Sequence, residues 1–61
     1  MTQVHRFRLI IMVHPSKVHQ YKPFNTFTFD DHQLKIRRVV SVDAIEDREK
    51  VYITLDVETN L

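Results

Sequence analysis

Apolar and polar positions alternate most clearly in the last third of the chain, where the pattern predicts a β-hairpin. From Val51 to Val57, every second residue is apolar and the residues between them are polar. This period of two is typical of a strand with one buried face. The β-branched run Val39–Ile45 comes before it, with a charged segment at residues 46–50 between the two runs. Two β-rich runs joined by a short polar connector predict an antiparallel hairpin.

Alternation elsewhere predicts the remaining strands of an all-β fold. It indicates strands over Val4–His14, Phe24–Asp30 and Leu34–Ile45, so that with Val51–Glu58 the chain has four. We expect a four-stranded antiparallel meander or a small SH3-like barrel, forming a single domain over residues 1–61. Two prolines bound the connection at residues 15–23, where one short helical turn over residues 15–22 fits as well as an extended loop.

Two residues break the alternation of their strands. Arg38 falls on the apolar side of the third strand, which indicates a sheet edge, a β-bulge that resets the phase, or an ion pair. Phe24 is out of phase with Phe27 and Phe29, which we expect to face the core. This mismatch predicts a bulge or a loop anchor at Phe24.

The chain contains neither cysteine nor glycine, and both absences narrow the possibilities. Without cysteine there is no disulfide or thiolate metal site, and a reducing compartment is favoured. Without glycine there is no glycine-rich phosphate loop, and two-residue hairpin turns are disfavoured. We therefore expect connectors of about three to five residues at Asp30–Gln33 and Glu46–Lys50. No apolar run is long enough to span a bilayer, so we expect a cytoplasmic protein without membrane contact.

Charge is distributed unevenly along the chain. Residues 1–38 contain seven Lys and Arg and two Asp, which gives a net charge of +5. Residues 39–61 contain two Lys and Arg and six Asp and Glu, which gives −4, so the whole chain has a net charge of +1. The simpler interpretation is that basic and acidic strands lie side by side and pair across the sheet. The alternative is a surface of two signs that docks on itself or on a partner.

Candidates for catalysis or metal binding are few. The four histidines have no spacing typical of metal ligands. Ser16 lies beside Lys17 in a loop, and Ser41 lies within a strand with no sharp turn to expose it. The paired carboxylates fall in turns, where Asp is favoured for backbone reasons. We therefore expect no catalytic residue, no metal and no cofactor, and we predict that the protein is not an enzyme.

Two binding hypotheses remain. The first is protein–protein contact, as a homo-oligomer or within a larger assembly, through the apolar residues expected on the face opposite the core: Ile10, Met12, Val39, Ile45 and Tyr52. The alternative is binding of single-stranded nucleic acid by the basic residues of the first and third strands: Arg6, Arg8, Lys35, Arg37 and Arg38.

The segment Phe29–Glu58 combines a short strand, a second strand that contains Val-Asp, a charged turn with Arg, and an alternating strand. The positions that form this pattern are Ile36, Val39, Val42, Asp43, Asp47, Arg48 and the strand Tyr52–Val57. The segment resembles the C-terminal end of phage head–tail joining proteins, the head-closure adaptors, whose corresponding hairpin closes a small β-barrel that assembles in rings. The resemblance implies a structural or adaptor protein that self-associates, and it carries over no functional residue.

Overall fold

The computed structural model describes residues 3–45 and 49–60, which form one antiparallel sheet of four strands. The sheet is curled into a half-barrel, which confirms the predicted all-β fold class. A 3-10 helix at Pro15–Gln20 occupies the connection, which decides between the two alternatives left open there in favour of helical structure. The strands are β1 (Val4–Val13), β2 (Thr26–Phe29), β3 (His32–Ile45) and β4 (Lys50–Asn60).

The strands follow the order β1-β4-β3-β2 across the sheet. Strands β2 to β4 follow the predicted meander, but β1 lies beside β4 and not beside β2. The connection between β1 and β2, residues 14–25, is too long to act as a tight turn, so it does not force these strands to pair. With ten residues, β1 matches the eleven of β4, whereas β2 has only four. Pairing with β4 therefore satisfies more of the backbone groups of β1.

Strand β3 contains two irregularities that explain the break in its sequence pattern. Its pairing with β4 shifts register between Ile36 and Arg38 and again between Val39 and Ser41. Each shift leaves one extra residue on β3, which changes the face that the following side chains occupy. Arg38 therefore points away from the core, and Val39 packs against it. The expectation that Val39 lies on the outer face was wrong for this reason. Of the three alternatives for Arg38, the structure shows the bulge and also an ion pair, with Asp56.

The core lies on the inner face of the sheet and is small. Partly buried residues of β1 and Val39 of β3 pack against it, as do Val18, Tyr21 and Phe27 from the connection and from β2. Tyr21 and Phe27 contact each other edge to face, with ring centroids 5.5 Å apart. A chain of this size buries only about 60% of its unfolded surface, so little stability is in reserve. The buried residues are Leu34, Ile36, Val51, Ile53, Leu55 and Val57.

The β2–β3 turn corrects the expectation of longer connectors. Strand β2 ends at Phe29 and pairs it directly with His32, so only Asp30 and Asp31 form the turn. Their φ angles are 50° and 64°, the positive values that two-residue hairpin turns require. Asp adopts this conformation at moderate cost because its short polar side chain bonds locally, so glycine is not needed. In the second connector, residues 46–48 lie outside the described residues.

Of the two β2 phenylalanines expected in the core, only Phe27 is there. Phe29 is the last residue of a short edge strand, and its side chain stays exposed. The few strand neighbours at that position leave one side of the ring without cover.

Candidate binding surfaces on the outer face

The outer face of the sheet, opposite the core, has two chemically different ends. Directly opposed residues on neighbouring strands point to the same side of a sheet, so the register assigns the rows. From β1 through β4 to β3, the outer rows are Arg6–Glu58–Lys35, Arg8–Asp56–Arg38, Ile10–Thr54–Ser41 and Met12–Tyr52–Asp43. We call the first two rows, with Arg37, the charged end. We call Ile10, Met12 and Tyr52 the apolar end.

Ion pairs at the charged end join three strands. The Asp56 carboxylate accepts hydrogen bonds from Arg8 Nε at 2.9 Å and from Arg38 Nη2 at 2.8 Å. Glu58 accepts one from Arg6 Nε at 3.3 Å. The acidic residues are on β4 and the basic residues on the strands to either side. This arrangement confirms the prediction that basic and acidic strands lie side by side.

The two arginines that contact Asp56 also set its ionisation. Their hydrogen bonds, from Arg8 first and then Arg38, hold the pKa of the Asp56 carboxyl below its ordinary value. The same bond to Asp56 raises the pKa of the Arg8 guanidinium. Asp56 is therefore ionised at neutral pH and links β1 to β3 across β4.

The charged end keeps an excess of positive charge. Its five cations face two carboxylates, Asp56 and Glu58, which leaves a net of +3. Within the described part of the chain, Arg37 forms no salt bridge. Lys35 lies opposite Glu58, and its Nζ is also 5.7 Å from the centre of the Phe24 ring. All five basic residues predicted from the sequence are thus brought together on one face.

The sequence pattern singled out Phe24 but did not predict that its side chain is exposed. The predicted loop anchor is confirmed, because Phe24 N–H donates to the Ile36 carbonyl at 2.8 Å and Ile36 N–H donates to the Asn25 carbonyl at 2.9 Å. The side chain, however, is 77% exposed, and the backbone has a φ of 74°. The break in phase at Phe24 was the available signal, but it does not show which way the ring points.

An open cleft of about 500 Å³ lies beside Phe24. Its volume is within the range of small-molecule and ligand sites, about 300–1,000 Å³. One side is formed by the ring of Phe24 and the other by the charged end. The lining residues are Phe24, Lys35, Ile36, Arg37, Arg38, Asp56 and Glu58.

The apolar end combines three of the five residues predicted for partner binding. Ile10, Met12 and Tyr52 are 64%, 50% and 44% exposed, and Met12 lies directly opposite Tyr52. Ile45 is half-buried and pairs with Lys50 at the end of β3, apart from the other three. Val39 packs against the core and does not belong to this surface.

The apolar end continues onto the free edge of β1. Strand β1 pairs with β4 on one side, and none of the described residues pairs with its other side. A second open cleft, about 350 Å³, lies along this edge, between Ile10–Val13 on one side and Tyr21 and Phe27–Phe29 on the other. The C-terminal half of β1 is therefore apolar on both faces and open at its edge.

Metal-type clusters and membrane-spanning helices are both missing from the part of the chain that the structure describes. Residues 3–45 and 49–60 contain no group of three His, Asp or Glu side chains placed to hold a metal ion. His14 Nε2 lies 3.5 Å from Glu49 Oε2, a pair without a third such side chain placed to complete a metal site among the described residues. Within the same residues, no helix has the length and hydropathy needed to cross a membrane.

Comparison of the chain with known protein families, curated proteins and solved structures gave no significant match. The resemblance of Phe29–Glu58 to phage head–tail joining proteins therefore stays a prediction. The class that the fold itself defines is a small all-β domain with one curled antiparallel sheet.

Proposed function

We propose that this protein is a non-enzymatic structural or adaptor domain that acts through protein–protein contact and associates with a second copy of itself through β1. The observation that carries the proposal is the exposure of Ile10 and Met12 on a strand with an unpaired edge in the described structure. Apolar side chains and open backbone groups at one place are typical of an interaction site.

The C-terminal half of the β1 edge lacks most of the features by which monomeric β proteins prevent pairing. Such proteins protect edge strands with charged residues, proline, β-bulges or covering loops. Between Leu9 and Val13, β1 has no charge and no proline, and its register with β4 is regular. A strand of this kind pairs readily with another strand, so a defined partner is needed to keep it from aggregating.

A second copy fits this edge because the strand is compatible with itself. In an antiparallel pair related by a two-fold axis at Ile11, Ile10 of each copy lies opposite Met12 of the other. The inner apolar residues Leu9 and Val13 also face each other in this register. Arg6 and Arg8 lie outside the apolar centre, so no two arginines are directly opposed. The pairing extends the small core of each copy, and mass action then stabilises the folded state.

Disulfide trapping tests both the association and its register, since the chain has no native cysteine. In the proposed dimer, Ile11→Cys places two thiols on the two-fold axis. Directly opposed residues have Cα atoms about 4.5–5.5 Å apart, within the range of a disulfide. We expect Ile11→Cys to form covalent dimers under mild oxidation, measured by non-reducing electrophoresis and mass spectrometry.

Val4→Cys is the matched control because Val4 is exposed on the same strand but far from the axis. It should stay monomeric under the same oxidation. Light scattering of the unmodified chain over a range of concentrations gives an independent measurement. A monomer at the highest concentration, together with equal trapping of both cysteine variants, contradicts the proposal.

A further inference from the structure

We propose that the charged end also binds single-stranded nucleic acid, with Phe24 stacking against a base and with Lys35, Arg37 and Arg38 contacting phosphates. This site is separate from the apolar end and goes beyond self-association. The inference rests on three observations: the exposure and backbone conformation of Phe24, the excess of positive charge beside it, and the cleft that joins them.

Phe24 is exposed although its backbone holds it rigidly. A bulky residue with positive φ is a rare conformation that persists only where surrounding contacts fix it. Backbone hydrogen bonds to Ile36 and from Asn25 to Lys22 fix it here, and the Asn25 side chain donates to the Gln20 carbonyl at 2.9 Å. The fold therefore maintains an unfavourable conformation that presents an aromatic ring to solvent, where it adds nothing to the core.

The neighbouring charges suit a polyanion. Asp56 and Glu58 are already bonded to arginines, so the negative charge within the site is neutralised locally. Arg37 forms no salt bridge with the described residues, and Lys35 lies beside the Phe24 ring. These cations follow β3 away from Phe24, as phosphates follow one another from a stacked base. Single-strand binding sites commonly combine a cationic groove with an aromatic platform.

The position of Phe24 favours single strands over duplexes and over acidic peptides. In a duplex the faces of the bases are covered by their neighbours, so an aromatic side chain reaches them only in unpaired strands. An acidic peptide uses the cations of the site but offers nothing that requires an exposed ring. The combination of Phe24 with the cleft of about 500 Å³ therefore favours a nucleotide base.

Tryptophan fluorescence gives a direct test, because the chain contains no tryptophan. A Phe24→Trp variant places a single reporter at the proposed platform. We expect an oligothymidylate of about ten nucleotides to quench its emission on binding. A duplex of equal length and poly-L-glutamate should leave the emission unchanged at the same phosphate or carboxylate concentration.

Affinity measurements by fluorescence anisotropy with labelled oligothymidylate separate stacking from charge. Phe24→Gly removes the ring while tolerating the positive φ, and we expect binding about tenfold weaker. Phe24→Tyr, which keeps an aromatic ring, should bind within about twofold of the unmodified chain. The matched control for Phe24→Gly is Phe29→Ala, another exposed phenylalanine outside the cleft, which should leave affinity unchanged.

The salt dependence of the binding constant measures the number of phosphate contacts. Three contacts predict a slope of log K against log salt of about −2, and Arg37→Ala should reduce its size by about 0.7. Lys17→Ala, a change of an exposed cation on the 3-10 helix, should not alter the slope. Circular dichroism melts verify that each variant is folded. Unchanged affinity in folded Phe24→Gly overturns the proposal, as does equal quenching of Phe24→Trp by duplex or by polyglutamate.

Discussion

The two ends of the outer face belong to the same sheet, yet the side chains of one end pair with each other while those of the other stay exposed. At the charged end, the carboxylates of β4 bind arginines on both neighbouring strands. At the apolar end, Met12 and Tyr52 face each other but remain about half exposed. The difference shows that polar side chains in a sheet can complete their contacts within one chain, whereas this apolar group stays exposed in the single chain.

The two ends also differ in how much free energy their contacts can contribute. Exposed ion pairs contribute little to stability and are screened by salt, so those of the charged end chiefly favour the observed register. Full burial of an Ile or Met side chain contributes about 1.5–3 kcal/mol, and much of this contribution is still available at Ile10 and Met12. Association therefore has more to gain at the apolar end.

The largest predicted effect is the loss of association on changing Ile10→Asp. In the proposed dimer, the new carboxylate lies opposite Met12 of the second copy, where it loses water without gaining a partner. We expect dimerisation to weaken by about a hundredfold or more, measured by sedimentation equilibrium. Val4→Asp makes the same change at another exposed position of β1 and should leave the dimer intact. Equal weakening by both variants contradicts a specific role for the apolar end.

A smaller effect is expected on breaking the ion pairs with Asp56→Asn. Arg8 and Arg38 then face each other across β4 without the carboxylate that separates them. The thermal midpoint should fall by a few degrees at low salt, and the difference should shrink as salt is added. Asp43→Asn is the control, because this exposed carboxylate is at the apolar end and its bond is to Ser41, not to a cation. A difference that is independent of salt is inconsistent with an electrostatic role.

Acid should remove the contribution of Asp56 without mutation. The folded-state pKa of Asp56 lies below its ordinary value of 3.8, so the unfolded chain binds its proton first as pH falls. The contribution is therefore complete above pH 3.8 and disappears as pH falls through the lower, folded-state pKa. We expect the melting difference between the unmodified chain and Asp56→Asn to decrease over that interval and to be constant at higher pH. Thermal melts at several pH values and constant ionic strength measure this difference. A difference that persists at the lowest pH argues against a stabilising role for ionised Asp56.

The fold was largely readable from the sequence because alternation reports directly on a sheet with one buried face. The strand order could not be read from the sequence, because a connection as long as residues 14–25 does not indicate which edge of the sheet β1 joins. Val39 was misplaced for a different reason: Arg38 signals a bulge, but only the pairing with β4 shows that two register shifts enclose Val39. The absence of glycine argues against a two-residue turn, but Asp30 and Asp31 both adopt positive φ and form one without it.

Of the candidate site residues, most cations could be predicted from the sequence, whereas the exposed ring of Phe24 could not. Arg6 and Arg8 alternate with the apolar residues of one strand and Lys35 and Arg37 with those of another, so the sequence placed these four cations on the outer face. Arg38 did not follow from alternation, because only the register shift in β3 turns it outward. The exposure of Phe24 did not follow, because hydrophobicity alone favours burial of a phenylalanine. Its orientation depends on the turn that precedes β2 and on the hydrogen bonds to Ile36.

The smallest predicted effect concerns the stability of Phe24→Gly, and it tests whether the charged end holds a side chain that the fold does not need. Glycine relieves the left-handed backbone by roughly 1–2 kcal/mol. It also increases the entropy of the unfolded chain, which destabilises the fold by roughly 0.5–1 kcal/mol. Loss of the contact with Lys35 destabilises it by roughly another 0.5–1 kcal/mol. Because these contributions nearly cancel, the free energy of unfolding should change by less than about 0.5 kcal/mol, measured by urea denaturation.

Phe27→Ala supplies the contrast, since this ring packs against the core and contacts Tyr21. It should destabilise the domain by about 2 kcal/mol or more, which a chain with so small a core tolerates poorly. A comparable loss in Phe24→Gly means that the exposed ring supports the fold, and the reason for assigning it to a ligand then disappears. Unchanged stability is the result expected if this strained, exposed aromatic residue is kept for a ligand and not for the fold.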